Sequence, residues 1–147
     1  MIDPATLVAQ PLVAPGVYEV SRAKIREFAA AVGETSALCQ DVDAARAAGY
    51  ADLVAPPTFA VVPSFRGLYE VMSRVGAPLH QQVHGEQGFT HHRPIVAGDE
   101  LVTTAVLEKA RAVGGSHFLT IASVVSDPTG EPVCTARSVV VVLAGAA

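Results

Sequence analysis

The chain has no tryptophan, only two cysteines, no excess of basic residues and no long unbroken apolar run. The missing tryptophan says nothing about function. Cys39 and Cys134 lie far apart, so they form no metal-type pair. Two cysteines in 147 residues suit a reducing cytoplasm, with both as ordinary buried thiols. The formal net charge is −4 and the charges are scattered. A nucleic-acid partner requires a basic face, which this distribution does not supply. Arg22, Lys24 and Arg26 alternate with apolar residues and read as a solvated helix face. The longest apolar run is broken by prolines and falls short of a bilayer span. Met1-Ile2-Asp3-Pro4 lacks the positive segment of a secretory signal, so a cytoplasmic protein is expected.

What is present is apolar sequence: 50% of the chain is hydrophobic, enough for one domain over residues 1–147 with a real core. The centre of its organisation is residues 53–75. Pro56-Pro57 reads as a helix entry, because proline fits a first helical turn where its missing N–H is not needed. Phe59, Val62, Phe65, Leu68 and Met72 recur at three- and four-residue steps and fall on one helical stripe. Ala60, Val61 and Val71 widen it, so the first half of the helix is predicted to be buried nearly all round. Pro63 is predicted to kink or delay it. The helix is placed at about residues 58–74, ended by Gly76 and Pro78.

Ahead of that helix, residues 1–16 read as an extended lead-in on the surface and residues 17–20 as a short strand. Ser21 is predicted to cap a helix that buries Ile25, Phe28, Ala29 and Val32 and ends at Gly33. A polar loop follows, then a short Ala-rich helix capped by Asp41 or Asp43. After Pro78 the pattern changes to alternation. Strands are predicted at residues 83–92, 101–107, 118–125 and 133–143, separated by Ala97-Gly98-Asp99, Gly114-Gly115 and Asp127-Pro128-Thr129-Gly130. Val83, Gly85 or Gln87, and Phe89 are assigned to one side of the first of these. The result is an α+β fold, an antiparallel sheet of about five strands wrapped on a long central helix. Its open edge, placed at residues 83–92, is expected to pair in a dimer.

Three histidines on that strand raise the question of a metal. His91 and His92 are neighbours and point to opposite faces; His84 and His92 would share a face but lie roughly 26 Å apart at ~3.3 Å per residue. No metal and no other cofactor is expected. Asp99 is expected to bond backbone N–H groups in a turn with Arg93-Pro94. His80 and His117 read as surface residues.

Three stretches carry a family resemblance. They are residues 18–28 (beginning Tyr18-Glu19-Val20-Ser21), residues 47–59 (ending Ala55-Pro56-Pro57-Thr58-Phe59), and residues 84–94 (ending His91-His92-Arg93-Pro94) with Gly98-Asp99 beyond. In order and content they resemble the MaoC-like branch of the hot-dog fold. The likeness is to its N-terminal-type dehydratase domains, which include accessory subunits of the mycobacterial (3R)-hydroxyacyl-ACP dehydratase. The resemblance implies hydration of enoyl thioesters or dehydration of 3-hydroxyacyl thioesters, on coenzyme A or acyl carrier protein. It also implies a homodimer, or a heterodimer with a catalytic MaoC-like subunit.

Active members carry a loop Gly-Asp-x-Asn-Pro-x-His whose Asp and His hold the reacting water. The matching loop here is Gly33, Glu34, Thr35, Ser36, Ala37, Leu38, Cys39. Glu34 takes the Asp position, Ser36 the Asn position and Cys39 the His position. A thiol titrating at about 8.5 replaces an imidazole titrating at about 6.5. The resemblance further places an oxyanion-binding backbone N–H at the start of the central helix, where Pro57 has none to give, although the Thr58 N–H could replace it with a one-residue shift. Pro57, Thr58, Phe59 and Val62 are the implied substrate wall. The expectation is an accessory or degenerate subunit. The alternatives are a homodimeric acyl-thioester binding protein without hydratase activity and a stand-alone dehydratase using Glu34.

Overall fold

The computed structural model describes residues 2–144. Its centre is α3 (Val61–Val75), entered through a 3-10 turn at Pro57–Ala60. Pro63 is only the third residue of α3, where the backbone N–H has no partner within the helix, so α3 runs through it, and the α-helix proper starts at Val61, later than the predicted residue 58. The buried Thr103 hydroxyl donates to the Pro63 carbonyl at 3.0 Å and fixes this first turn to the sheet. Gly76, at φ 69°, closes the helix in the left-handed conformation.

Against α3 lies an antiparallel sheet. The long strands are β3 (Gln82–His91), β4 (Glu100–Val113), β5 (Ser116–Ser126) and β6 (Pro132–Val142). Two short ones, β1 (Pro11–Val13) and β2 (Tyr18–Glu19), both pair with β4, and the order is β1-β4-β5-β6-β3. The sheet thus has six strands, not about five. The lead-in is part of it, because Pro11, Leu12 and Val13 register against Val106, Ala105 and Thr104. β3 is an edge, as its sequence position predicted.

Gly67 sets the distance between the layers. A methyl group placed on it would stand 2.8 Å from Thr103 Cγ2 and 2.9 Å from Ala105 Cβ. The helix can therefore lie on β4 only because this residue has no side chain. The buried stripe is Pro63, Ser64, Gly67, Leu68, Val71, Met72 and Val75. Burial of the first half of the helix on all sides does not hold. Phe65 is 51% and Tyr69 62% exposed, on the flank that no other element covers. One helix on one sheet has a single buried face, and the apolar residues beside it overhang solvent.

Two apolar clusters fill the interior. One joins Val71 and Val75 to Leu107, Leu119 and Ile121; the other joins Phe59 to Ile25, Leu53, Leu101 and Val133 near the helix entry. The second is flanked by α1 (Arg22–Val32) and α2 (Val42–Ala47). Ser21 caps α1 by accepting the Lys24 N–H, Gly33 ends it, and Asp41 rather than Asp43 caps α2. Arg22 grips Asp52 with two bonds of 2.6 and 2.8 Å, tying α1 to the segment leading into α3. With the Arg22 guanidinium and then the Leu53 N–H on it, the Asp52 carboxyl is pulled down to about 2.

Candidate active site

The site is built where four chain segments meet at the entry of α3. The left-handed Gly33 turns the chain out of α1, and Glu34 N–H returns to the Ala29 carbonyl at 2.8 Å. Ser36 then caps a 3-10 turn at Ala37–Cys39. Val54 N–H donates to the Leu38 carbonyl at 2.9 Å and docks this loop on residues 53–57. Those residues pair in turn with residues 95–97, through Ala55 N–H to Ile95 O and Ala97 N–H to Leu53 O, both 2.9 Å. Asp99 holds the returning turn as predicted: its Oδ2 accepts from Arg93 at 2.8 Å and from Val96 N–H at 2.9 Å.

Two cavities open here. The first, about 490 Å³, lies between the Glu34 loop, residues 54–57 and the Arg93 turn. The second, about 960 Å³, runs from the end of α1 past Thr58 and Val61 to the inner side of β3. Glu34, Pro56, Pro57 and His91 line both, so they mark the junction.

The sequence-predicted residues are only partly assembled there. Glu34, Ser36 and Cys39 share the first cavity, and Pro57 lines both. Thr58 lines the second cavity, whereas Phe59 and Val62 line neither. Phe59 is fully buried with its ring edge-on to Phe28, centroids 5.4 Å apart, and Val62 packs against the same core. Of the two valines that begin α3, Val61 and not Val62 lines the second cavity.

The chemistry of the loop is subdued. Glu34 Oε1 accepts the Ser36 N–H at 2.8 Å, so one carboxylate oxygen is engaged in its own turn. Ser36 Oγ accepts from Leu38 N–H at 3.3 Å. Cys39 is buried, and burial, helped by the Glu34 charge, pushes its thiol up. Cys134, also buried, is pushed up to about 11. Both sulfurs are therefore thiols at neutral pH, poor acids and poor bases.

His91 is the residue that sequence reading passed over. A bulge at Gly85 interrupts the pairing of β3 with β6, between His84 and Glu86. Beyond it Gln87, Phe89 and His91 register against Ser138, Ala136 and Cys134, all buried on the inner face of β6. Val83 and Phe89 therefore face opposite sides, contrary to their assignment to one side. His84 and His92 do not share a face either, since His84 registers with inward Val140. Among the described residues no group of three or more His, Cys, Asp or Glu side chains could hold a metal. The signal for His91 was in the sequence, as alternation from Phe89; the bulge was not.

A helix-wrapped antiparallel sheet with a polar loop at the helix entry is the architecture of the hot-dog dehydratases and hydratases. The chain belongs to the FAS1-like, dehydratase domain region family, whose match spans residues 7–136. It is 47% identical over 126 residues to a UPF0336 protein of Saccharopolyspora erythraea, covering 84% of this chain and 81% of that protein. A solved MaoC-like dehydratase superposes with a TM-score of 0.87 at 32% identity, over 97% of this chain but 44% of that one. This chain thus spans under half of that dehydratase. The HadBC (3R)-hydroxyacyl-ACP dehydratase complex of Mycobacterium tuberculosis superposes with a TM-score of 0.80 at 25% identity, over 92% of this chain and 96% of the matched chain.

Proposed function

We propose that this chain is the acyl-thioester-binding half of a hydratase/dehydratase pair, working in the cytoplasm beside a hot-dog subunit that carries the intact Asp and His. One observation carries the reading: the loop that should hold the reacting water has its carboxylate bonded to Ser36 N–H and a buried, protonated thiol in the imidazole position. Pro57 has no N–H at the position where the resemblance places the oxyanion donor. Losing one oxyanion donor costs ~100- to 1,000-fold in turnover, and losing the acid–base group a further ~100- to 10,000-fold. The relationship to the HadBC complex, which joins two different hot-dog chains, supports a partnered subunit. So does the surface, where the open edge of β3 lies beside the exposed Phe65 and Tyr69. Among the described residues no helix is long and apolar enough to cross a membrane.

The test is hydration of crotonyl and longer trans-2-enoyl thioesters, on coenzyme A and on acyl carrier protein, by the chain alone and with a MaoC-like partner of intact loop. Turnover is expected only with the partner. Cys39→His alone stays near background, because acid, base and oxyanion donor act as a unit. Glu34→Asp, Ser36→Asn, Cys39→His and Pro57→Gly together form the smallest set expected to restore activity. Strong turnover by the unmodified chain alone, abolished by Glu34→Gln, would replace this reading with a stand-alone dehydratase. Thioester binding without turnover in either setting would leave a binding protein.

A further inference from the structure

The junction of the two cavities has an unequal set of polar groups. Of its four residues, Pro56 and Pro57 have no N–H at all. Glu34, when ionised, can only accept, and one of its oxygens is already used by Ser36 N–H. His91 is left as the one side chain at the junction able to donate a hydrogen bond. Its state differs from that of its neighbours. The His84 ring is bonded to Gln87 and the His92 ring to Thr135, but the His91 ring has no hydrogen-bond partner among the described residues. It rests beside the Phe89 ring, centroids 6.1 Å apart. Other donors nearby lie off the junction. Arg93 lines only the first cavity and is held by Asp99 and the Pro94 carbonyl, Ser36 lines only the first cavity and Thr58 only the second, and the Gln87 amide donates to the Gly88 and Arg137 carbonyls.

We infer that His91 is the hydrogen-bond donor to the thioester carbonyl of a bound acyl chain, taking from strand β3 the role that the Pro56-Pro57 helix entry cannot fill. Either neutral tautomer of an imidazole retains one N–H, so donation needs no protonation. The carbonyl sits at the junction, with Val54, Ala55 and Ile95 providing apolar wall on one side and Phe28, Val61 and Phe89 on the other. This rests on the acyl-thioester reading above and assigns the group that recognises the carbonyl.

The probes are octanoyl-CoA, which cannot be hydrated, and S-octyl-CoA, the thioether with the same chain and carrier but no carbonyl. Binding of each to the full chain is measured by titration calorimetry. His91→Ala is expected to weaken octanoyl-CoA about tenfold, the equivalent of one well-placed hydrogen bond. It leaves the thioether unchanged, and His91→Gln, which keeps an N–H, recovers most of the loss. His92→Ala changes neither. An equal loss for both probes makes His91 a wall of the cavity and overturns the inference, as does no loss for either. In both cases the acyl-thioester reading stands, because the unmodified chain has bound octanoyl-CoA. If the unmodified chain binds neither probe, that reading and this inference fall together. Since His91 is exposed on an edge strand, its variants should keep the parent melting temperature, which separates these outcomes from misfolding.

Discussion

The inner face of the sheet divides into two unlike regions. Across β4, β5 and β6 it is mostly apolar, with Leu101, Ala105, Leu107, Leu119, Ile121, Val125, Val140 and Val142 all buried, and with Thr103 and Ser123 polar beneath α3. Across β3 the same face carries Gln82, His84, Gln87, Phe89 and His91, none of them fully buried. Helix α3 covers the first region and stops short of the second. The two are joined by a polar seam in which Ser138 of β6 donates to Gln87 at 2.8 Å, and Gln87 in turn meets the His84 ring at 3.1 Å. The apolar region holds the protein together, and the polar region lines the open side of the second cavity.

That division can be broken or sharpened by substitution. The largest effect is expected from Ile121→Ala, which leaves a cavity under α3 and should cost ~2–5 kcal/mol in urea unfolding. On the same face His84→Ala should fall within about 0.5 kcal/mol of the parent. Equal losses at the two positions would erase the distinction. Gly67→Ala comes next, about 1–3 kcal/mol, because its methyl meets Thr103 and Ala105 well inside contact distance; an unchanged midpoint would mean that the helix can lift off β4 freely. Ser138→Ala tests the seam and should cost ~0.5–1.5 kcal/mol, as one hydrogen bond is lost while Gln87 keeps its contact with His84. The smallest effect lies outside both regions, at Asp52. Its folded carboxyl titrates at about 2, below the ordinary value of 3.8. The Arg22 pair therefore stabilises the fold above pH 4, and that contribution disappears as pH falls toward 2. Asp52→Asn should lower the urea midpoint at pH 7 and lose its difference from the parent in strong acid.

How far the sequence revealed this follows from its patterns. The long strands, the Ser21 cap, the Gly33 and Gly76 stops and the Arg93–Asp99 turn each carry a local signature, and each was legible. Phe65 misled because periodicity identifies an apolar stripe without showing how wide a neighbour covers it. β1 escaped because three residues with a proline make too short an alternation to see. At the site, the loop residues came from family resemblance and Pro57 from its missing N–H. Phe59 and Val62 line neither cavity: Phe59 is turned into the core within the 3-10 turn and Val62 packs against the same core at the start of α3. His91 depended on the register beyond a bulge, which only pairing with β6 defines.

That pairing has a consequence for the order in which the protein forms. β4, β5 and β6 follow one another through short turns, so each meets its neighbour soon after synthesis. β3 precedes all three, yet its partner is β6, with Gln82 against Val142. β3 must wait, unpaired, for the last strand to emerge, and its docking closes a far longer loop than the turns between β4, β5 and β6, with His91 reaching Cys134. Pulsed hydrogen exchange during refolding should find the β3 amides protected after those between β4 and β5. The strand that carries His91 is then assembled into the sheet only after β6 has formed, and throughout that interval its edge is open to capture by another chain.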